Sequence, residues 1–155
     1  MPGIVKPIPD KYHSITPYLI VKGAGAAMDF YKQAFGAAEL FRMPQPDGRV
    51  GHAELKIGDS VIMLADEYPE MQIVGPKTLG NSSVGILLYV DDADAVFDKA
   101  VSLGATVNKP LTDQFYGDRS GTVVDPFGHK WTIATHKEDI SEEEMQRRVA
   151  ALSNK

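Results

Sequence analysis

The 155-residue sequence contains no cysteine. Disulfides, thiolate nucleophiles and cysteine-based zinc sites are excluded together. Such a chain suits a reducing compartment. Basic residues are in deficit as well: 16 Lys and Arg stand against 21 Asp and Glu, a net charge of −5. A balance of that sign gives no general attraction to phosphate backbones or anionic membranes, so neither nucleic acid nor membrane is an expected partner. No apolar run approaches the roughly 18 residues of a membrane span. The opening "MPGIVKPIPDKYHS" has three prolines and no apolar stretch of the signal-peptide kind, which makes a cytoplasmic location the expectation. Aromatic side chains are few (1 Trp, 6 Tyr and 6 Phe), which argues against a large stacking platform.

What is present is an ordinary globular composition, 43% hydrophobic and 24% charged, in a chain long enough to bury a core without staples. The order of local patterns occurs twice. "SITPYLIVKG" (14–23) reads as a strand, and "AAMDFYKQAFG" as a helix with Met28, Tyr31 and Phe35 at 3–4 spacing and Gly36 as its stop. "AELFRM" and the hairpin "VGHAELKI-GD-SVIMLAD" follow. In the second half, "SVGILLYVDD" predicts a strand, and Asp91 or Asp92 caps a helix whose apolar face is Val96, Ala100 and Leu103. "ATVNKPLTDQ" predicts a short edge strand on account of Pro110, and "SGTVVD-PFGH-KWTIAT" a hairpin turned by Pro126 and Gly128. The two strand–helix segments align at an offset near 69. The reading is α+β, with two βαβββ modules at 14–66 and 83–136. An N-terminal arm (1–13), a linker or mobile loop (67–82) and a C-terminal helical tail (137–155) complete one domain. In the tail, Ser141 and Glu144 form a capping box, and Met145, Val149 and Leu152 a narrow apolar stripe.

Strand alternation then sorts side chains into faces. Ala53, Leu55, Ile57, Ile62 and Leu64 fall on one face of the first hairpin, with Ile15, Leu19 and Val21 of the first strand beside them. The other face holds His52, Glu54, Lys56, Val61 and Met63, with Thr16 and Tyr18. In the second half Trp131 and Ile133 take the covered face, which leaves Lys130 and Thr132 opposite, with Arg119 assigned near them. A mixture of hydroxyls, carboxylate, imidazole and thioether fits a small-molecule cleft lined by a curled sheet. A dimer interface with a polar rim is the alternative. In "YGDR", Asp118 and Arg119 are candidate ligand contacts with Tyr116, Arg119 offering a bidentate fork to a carboxylate or phosphate; the competing reading is a structural Asp–Arg pair. His13, His129 and His136 are read as surface or structural residues.

"PYLIVKGAGAAMDFYKQAFGA", "GHAELKIGDSVIMLAD", "YGDRSGTVVDPFGHKW" and "THKEDIS" together resemble the vicinal oxygen chelate superfamily of glyoxalases, bleomycin-resistance proteins and dioxygenases, within it most of all the PhnB-like group. The resemblance implies two βαβββ modules forming a U-shaped, mostly antiparallel sheet around a cleft, in a homodimer. Metal-dependent members converge four ligands on a divalent ion. The matching positions here are Thr16, His52, Gly85 and Thr132, of which His52 alone is a ligand of the usual kind. No metal or other cofactor is therefore expected, although a divalent ion shared by His52 and Glu54 with help from Asp118 is sterically conceivable. The leading expectation is a protein that holds a small molecule, cationic or aromatic, using Thr16, Tyr18, Met63, Tyr116, Asp118, Arg119 and Thr132. His52 and Glu54 would serve any proton transfer. The alternatives are a metal-dependent glyoxalase-like lyase or isomerase, or a dioxygenase, with a degenerate metal site, and a structural dimer with a vestigial cleft.

Overall fold

The computed structural model describes residues 3–154; the first two residues of the predicted arm and the last of the tail lie outside the described residues. The chain divides into two compact units, Met1–Asn81 and Ser82–Lys155.

In the first unit, β1 (Tyr18–Val21) leads through α1 (Ala24–Phe35) to β2 (Ala38–Pro44), β3 (Val50–Ile57) and β4 (Ser60–Asp66). The sheet order is β1-β4-β3-β2. β1 runs parallel to β4, and the two remaining pairs are antiparallel. The Gly58-Asp59 turn is a two-residue hairpin loop closed by Ile57 opposite Ser60, with Gly58 at φ 59°. α1 covers the predicted apolar face: Leu19, Val21, Ala53, Leu55, Ile57, Ile62 and Leu64 are buried with Met28 and Tyr31. α1 ends at Gly36 in the left-handed region (φ 68°), where no Cβ penalty applies. Ile15 departs from its expected place. β1 begins only at Tyr18, after Pro17, and Ile15 is 86% exposed rather than under the helix.

The segment after β4, expected as a linker or mobile loop, carries two short helical turns. It forms a 3₁₀ turn at Pro69–Met71 and the short α2 (Pro76–Leu79). Buried Glu67 anchors it, accepting from Gly75 N–H at 2.7 Å and from the Thr78 hydroxyl at 2.6 Å. Gly75 is pressed so closely on β1 that a Cβ there would lie 2.5 Å from the Ile20 carbonyl oxygen.

The second unit repeats the plan with β5 (Gly85–Tyr89), α3 (Ala93–Ser102), β6 (Thr106–Asp113), β7 (Asp118–Val124) and β8 (Lys130–His136), in the order β5-β8-β7-β6. β5 and β8 are parallel and the other pairs antiparallel. Pro110 lies on edge strand β6, in the irregular stretch of its register; at eight residues the strand is longer than expected. Asp92 is the residue that caps α3, accepting from Ala95 N–H. The buried face of α3 is Ala93, Phe97 and Ala100, with Val96 only half-buried, so Phe97 takes the place expected of Val96. Phe97 fits because it lies over Gly121 of β7. A Cβ at Gly121 would come within 2.7 Å of the Phe97 ring and 2.8 Å of the Leu111 backbone. α4 (Glu142–Ser153) is capped by Ser141, which accepts from Glu144 N–H. Val149 and Leu152 of its stripe are nearly half exposed. The helix is fastened by Arg148, which donates to the Phe115 carbonyl and to Glu138, each at 2.8 Å.

A long-range carboxylate sets the start of α1. Gly23, its N-cap, has no side chain to offer. Asp66, at the end of β4, accepts instead from Gly23 and Ala24 N–H through Oδ1 at 2.8 Å each, and from Val50 N–H through Oδ2 at 2.7 Å. Asp66→Ala strands these donors and should lower the stability of the first unit by about 3 kcal/mol in denaturant titration. In the second unit, Gly121→Ala forces an overpacked contact with Phe97 and should cost about 1–3 kcal/mol, reduced by a paired Phe97→Leu change.

Candidate functional site

The register of the first sheet lays Tyr18 of β1, Met63 of β4, Glu54 of β3 and Phe41 of β2 in one row, with Met43 opposite His52 one step along. All stand on the face away from α1, as alternation requires. The Tyr18 hydroxyl and His52 Nδ1 are 2.8 Å apart. The Tyr18 and Phe41 rings stand 5.5 and 6.1 Å from the His52 ring, centroid to centroid. His52 Nε2 faces Glu54 at 3.5 Å, too long for a good hydrogen bond, so one ring nitrogen is fixed and the other has a carboxylate beside it. Burial raises the Tyr18 hydroxyl above its ordinary pKa. Thr16 precedes β1 rather than lying on it. With Pro7 and Tyr12 of the N-terminal segment and Met63 beneath, it lines a pocket of about 290 Å³. The structure therefore brings Thr16, Tyr18, His52, Glu54 and Met63 together within the first unit, and adds Phe41 and Met43. Phe41 and Met43 were missed in the sequence because a register shift between Glu39 and Phe41 interrupts the alternation of β2.

In the second unit the same logic corrects one assignment. Val123 pairs with Trp131 on the buried face under α3, and Arg119, four residues before Val123, shares that face. Arg119 makes a bidentate contact with Asp94 of α3, 2.8 Å from Nε and 2.9 Å from Nη2, and a further contact with Asp113 at 3.2 Å. Its fork is occupied by protein carboxylates, and the Asp–Arg pair involves Asp94 rather than Asp118. Asp118 points to the opposite side, 5% exposed. It accepts the Tyr89 hydroxyl at Oδ2 (2.7 Å) and stands 2.8 Å from His136 Nδ1 at Oδ1. His136 Nε2 in turn is 2.8 Å from Asp139. Both carboxylates, Asp118 first, hold the His136 imidazole above its ordinary pKa, and the bond to Asp118 raises that of Tyr89. Tyr116 is near this group, its hydroxyl 3.5 Å from that of Ser120. Tyr89 and His136 were missed in the sequence. The available signal was alternation, since His136 lies four residues beyond Thr132 on one strand and must share its face.

The positions matched to a metal centre offer poor donors. Thr132 Oγ1 is 2.8 Å from Thr122 Oγ1 and is engaged there. Gly85 has no side chain, and His52 Nδ1 is taken by Tyr18. Among the described residues no group of three or more His, Asp or Glu stands together in a way that could hold a metal ion. The donor set does not fit a divalent metal.

His136 should titrate above the ordinary histidine range by NMR. The sign follows from the raised value: its bridge to Asp118 stabilises the unit fully below the unfolded histidine pKa and is lost as pH rises through the folded one. Asp118→Asn should move the His136 titration down and flatten that dependence.

The match to known proteins follows these elements. The model of the Glyoxalase/Bleomycin resistance protein/Dioxygenase superfamily matches residues 11–133. An uncharacterized protein of Mycobacterium tuberculosis is 43% identical over 144 residues, covering 91% of this chain and 83% of its own. One from Arabidopsis thaliana is 33% identical over 126 residues, covering 77% and 75%. The crystal structure of a Pseudomonas aeruginosa protein superposes with a TM-score of 0.69 at 26% identity, covering 81% of this chain and 99% of that one. A PhnB protein from Bacillus cereus, at 19% identity and a TM-score of 0.65, shares the fold over 79% of this chain and 99% of its own. No helix among the described residues is long and apolar enough to cross a membrane. With its duplicated βαβββ order and a family model spanning most of its length, the chain belongs to the glyoxalase, bleomycin-resistance and dioxygenase superfamily.

Proposed function

We propose that this protein binds a small molecule against the His52-bearing face of its first sheet, without a catalytic metal. The observation that carries the reading is the His52 ring, pinned at Nδ1 by Tyr18 and with Nε2 beside Glu54. A pinned imidazole with a carboxylate neighbour is a preorganised hydrogen-bonding pair for a ligand. Around it, Tyr18, Phe41 and Met43 are each nearly half exposed and present apolar, polarisable surface. Rings together with a carboxylate suit an aromatic or cationic ligand of modest size. Two threonines and a glycine in place of metal donors support binding in which the protein's own side chains make the contacts. The same reading makes the protein a cytoplasmic homodimer, supported by the cysteine-free composition and by exposed Val84 and Leu87 beside and on edge strand β5.

A phenyltrimethylammonium probe tests the reading by thermal shift. At 100 times its dissociation constant a bound ligand adds about 2.7 kcal/mol of stability. The shift should vanish in His52→Ala and shrink in Glu54→Gln. Near-stoichiometric zinc, nickel, manganese or iron in protein purified without chelator, lost in His52→Ala, would overturn it.

A further inference from the structure

The second unit carries a chain of titratable groups that the first unit's site does not use. Asp118 and His136 are direct cross-strand partners at adjoining ends of β7 and β8. Asp118 is buried, and its Oδ2 is taken by the Tyr89 hydroxyl, which must donate, since a carboxylate has no hydrogen to give. The remaining oxygen, Oδ1, then accepts from His136 Nδ1–H. This fixes the tautomer: in neutral His136 the proton stays on Nδ1 and the lone pair is at Nε2. A buried carboxylate that orients an imidazole through Nδ1 is the arrangement that prepares the other nitrogen for proton transfer.

Nε2 faces Asp139, whose side chain is fully exposed. Contact of both ring nitrogens with carboxylates requires the doubly protonated ring. An exposed pair of this kind is weak and readily displaced. Once the ring loses its proton, Asp139 has no donor to hold, and Nε2 is free. Beside the ring is a recess of about 430 Å³ lined by Tyr89, Asp91, Thr135 and His136.

We propose that this is a proton-transfer site, with His136 Nε2 as the general base and Asp118 and Tyr89 as its positioning residues. It goes beyond the ligand-binding reading of the first unit and shares no residue with it. The charged groups around the ring are Asp91, Asp118 and Asp139, while Asp113, Lys137 and Glu138 line the neighbouring recess with Asp118. This negative setting selects neutral or cationic substrates with an acidic C–H and disfavours carboxylates and phosphates. In the step itself, the Nε2 lone pair takes the proton, the C–H bond breaks, and its electrons remain with the substrate. The imidazolium then gives the proton to the product or to water, and Nε2 is ready again.

5-Nitrobenzisoxazole is a neutral probe of this chemistry. Loss of its C3 proton to Nε2 turns the C–H electrons into the nitrile bond and breaks N–O, releasing a coloured phenolate with no other reactant. The full chain should convert it at a rate that rises sigmoidally with pH along the His136 titration. His136→Gln should lower that rate at least about tenfold, toward the rate in buffer without protein. Asp118→Asn should lower both the plateau and the midpoint, with partial recovery in Asp118→Glu. Asp139→Asn should keep the plateau and lower the midpoint only. A His136→Gln protein as active as the parent overturns the proposal. The unmutated protein offers an independent test through ¹⁵N NMR: neutral His136 must carry its proton on Nδ1, and the opposite tautomer overturns the proposal equally.

Discussion

The first unit depends on a single carboxylate that gathers backbone N–H groups from two directions. Asp66 closes the start of α1 and the start of β3 at once, at the end of a strand paired with β1. The sequence at that helix start, "KGAGAA", supplies no local acceptor, so the helix relies on a residue more than forty positions away. A helix capped in this manner is coupled to its sheet: neither is complete until the parallel β1–β4 pair has formed. Such a contact is costly in chain entropy, which places its formation late relative to the local β3–β4 hairpin.

The second unit meets the same geometric need with different chemistry. Thr135 occupies the strand position 69 residues after Asp66, one residue beyond the Tyr89–Ala134 pair that ends the β5–β8 register. Its hydroxyl accepts from Ala93 N–H at 2.8 Å and donates to the Val90 carbonyl at 2.7 Å. Because Asp92 already caps α3 locally, a neutral hydroxyl suffices where the first unit requires an anion. The duplicated fold thus preserves the position of the strand-to-helix tie while dividing the capping between two residues in one copy and concentrating it in the other.

How much of this was legible in the sequence follows from how local each signal is. Alternation identified the His52 and Glu54 face, the buried Trp131 and Ile133, and the Gly58 turn, all of which rest on neighbours within one hairpin. The superfamily fold was legible because the same order of elements recurs twice. Arg119 was misplaced although Val123 fixes its phase; its charge suggested a ligand contact, and the partner that satisfies it, Asp94, is on a helix 25 residues away. Asp118 and His136 drew together through a register known only once β7 and β8 were paired. The 67–82 segment looked like a loop because its order comes from Glu67, whose partners Gly75 and Thr78 form no periodic pattern.

Asp125 does in the β7–β8 turn what Asp66 does at α1. Its Oδ1 accepts from Phe127 and His129 N–H, and its Oδ2 accepts from the Trp131 indole at 2.9 Å. The sole indole of the chain is thereby sealed, 1% exposed, inside the second unit. Its ultraviolet emission consequently reports on that half alone: a fluorescence-followed melt and a whole-backbone dichroism melt coincide only where both halves come apart as one cooperative body.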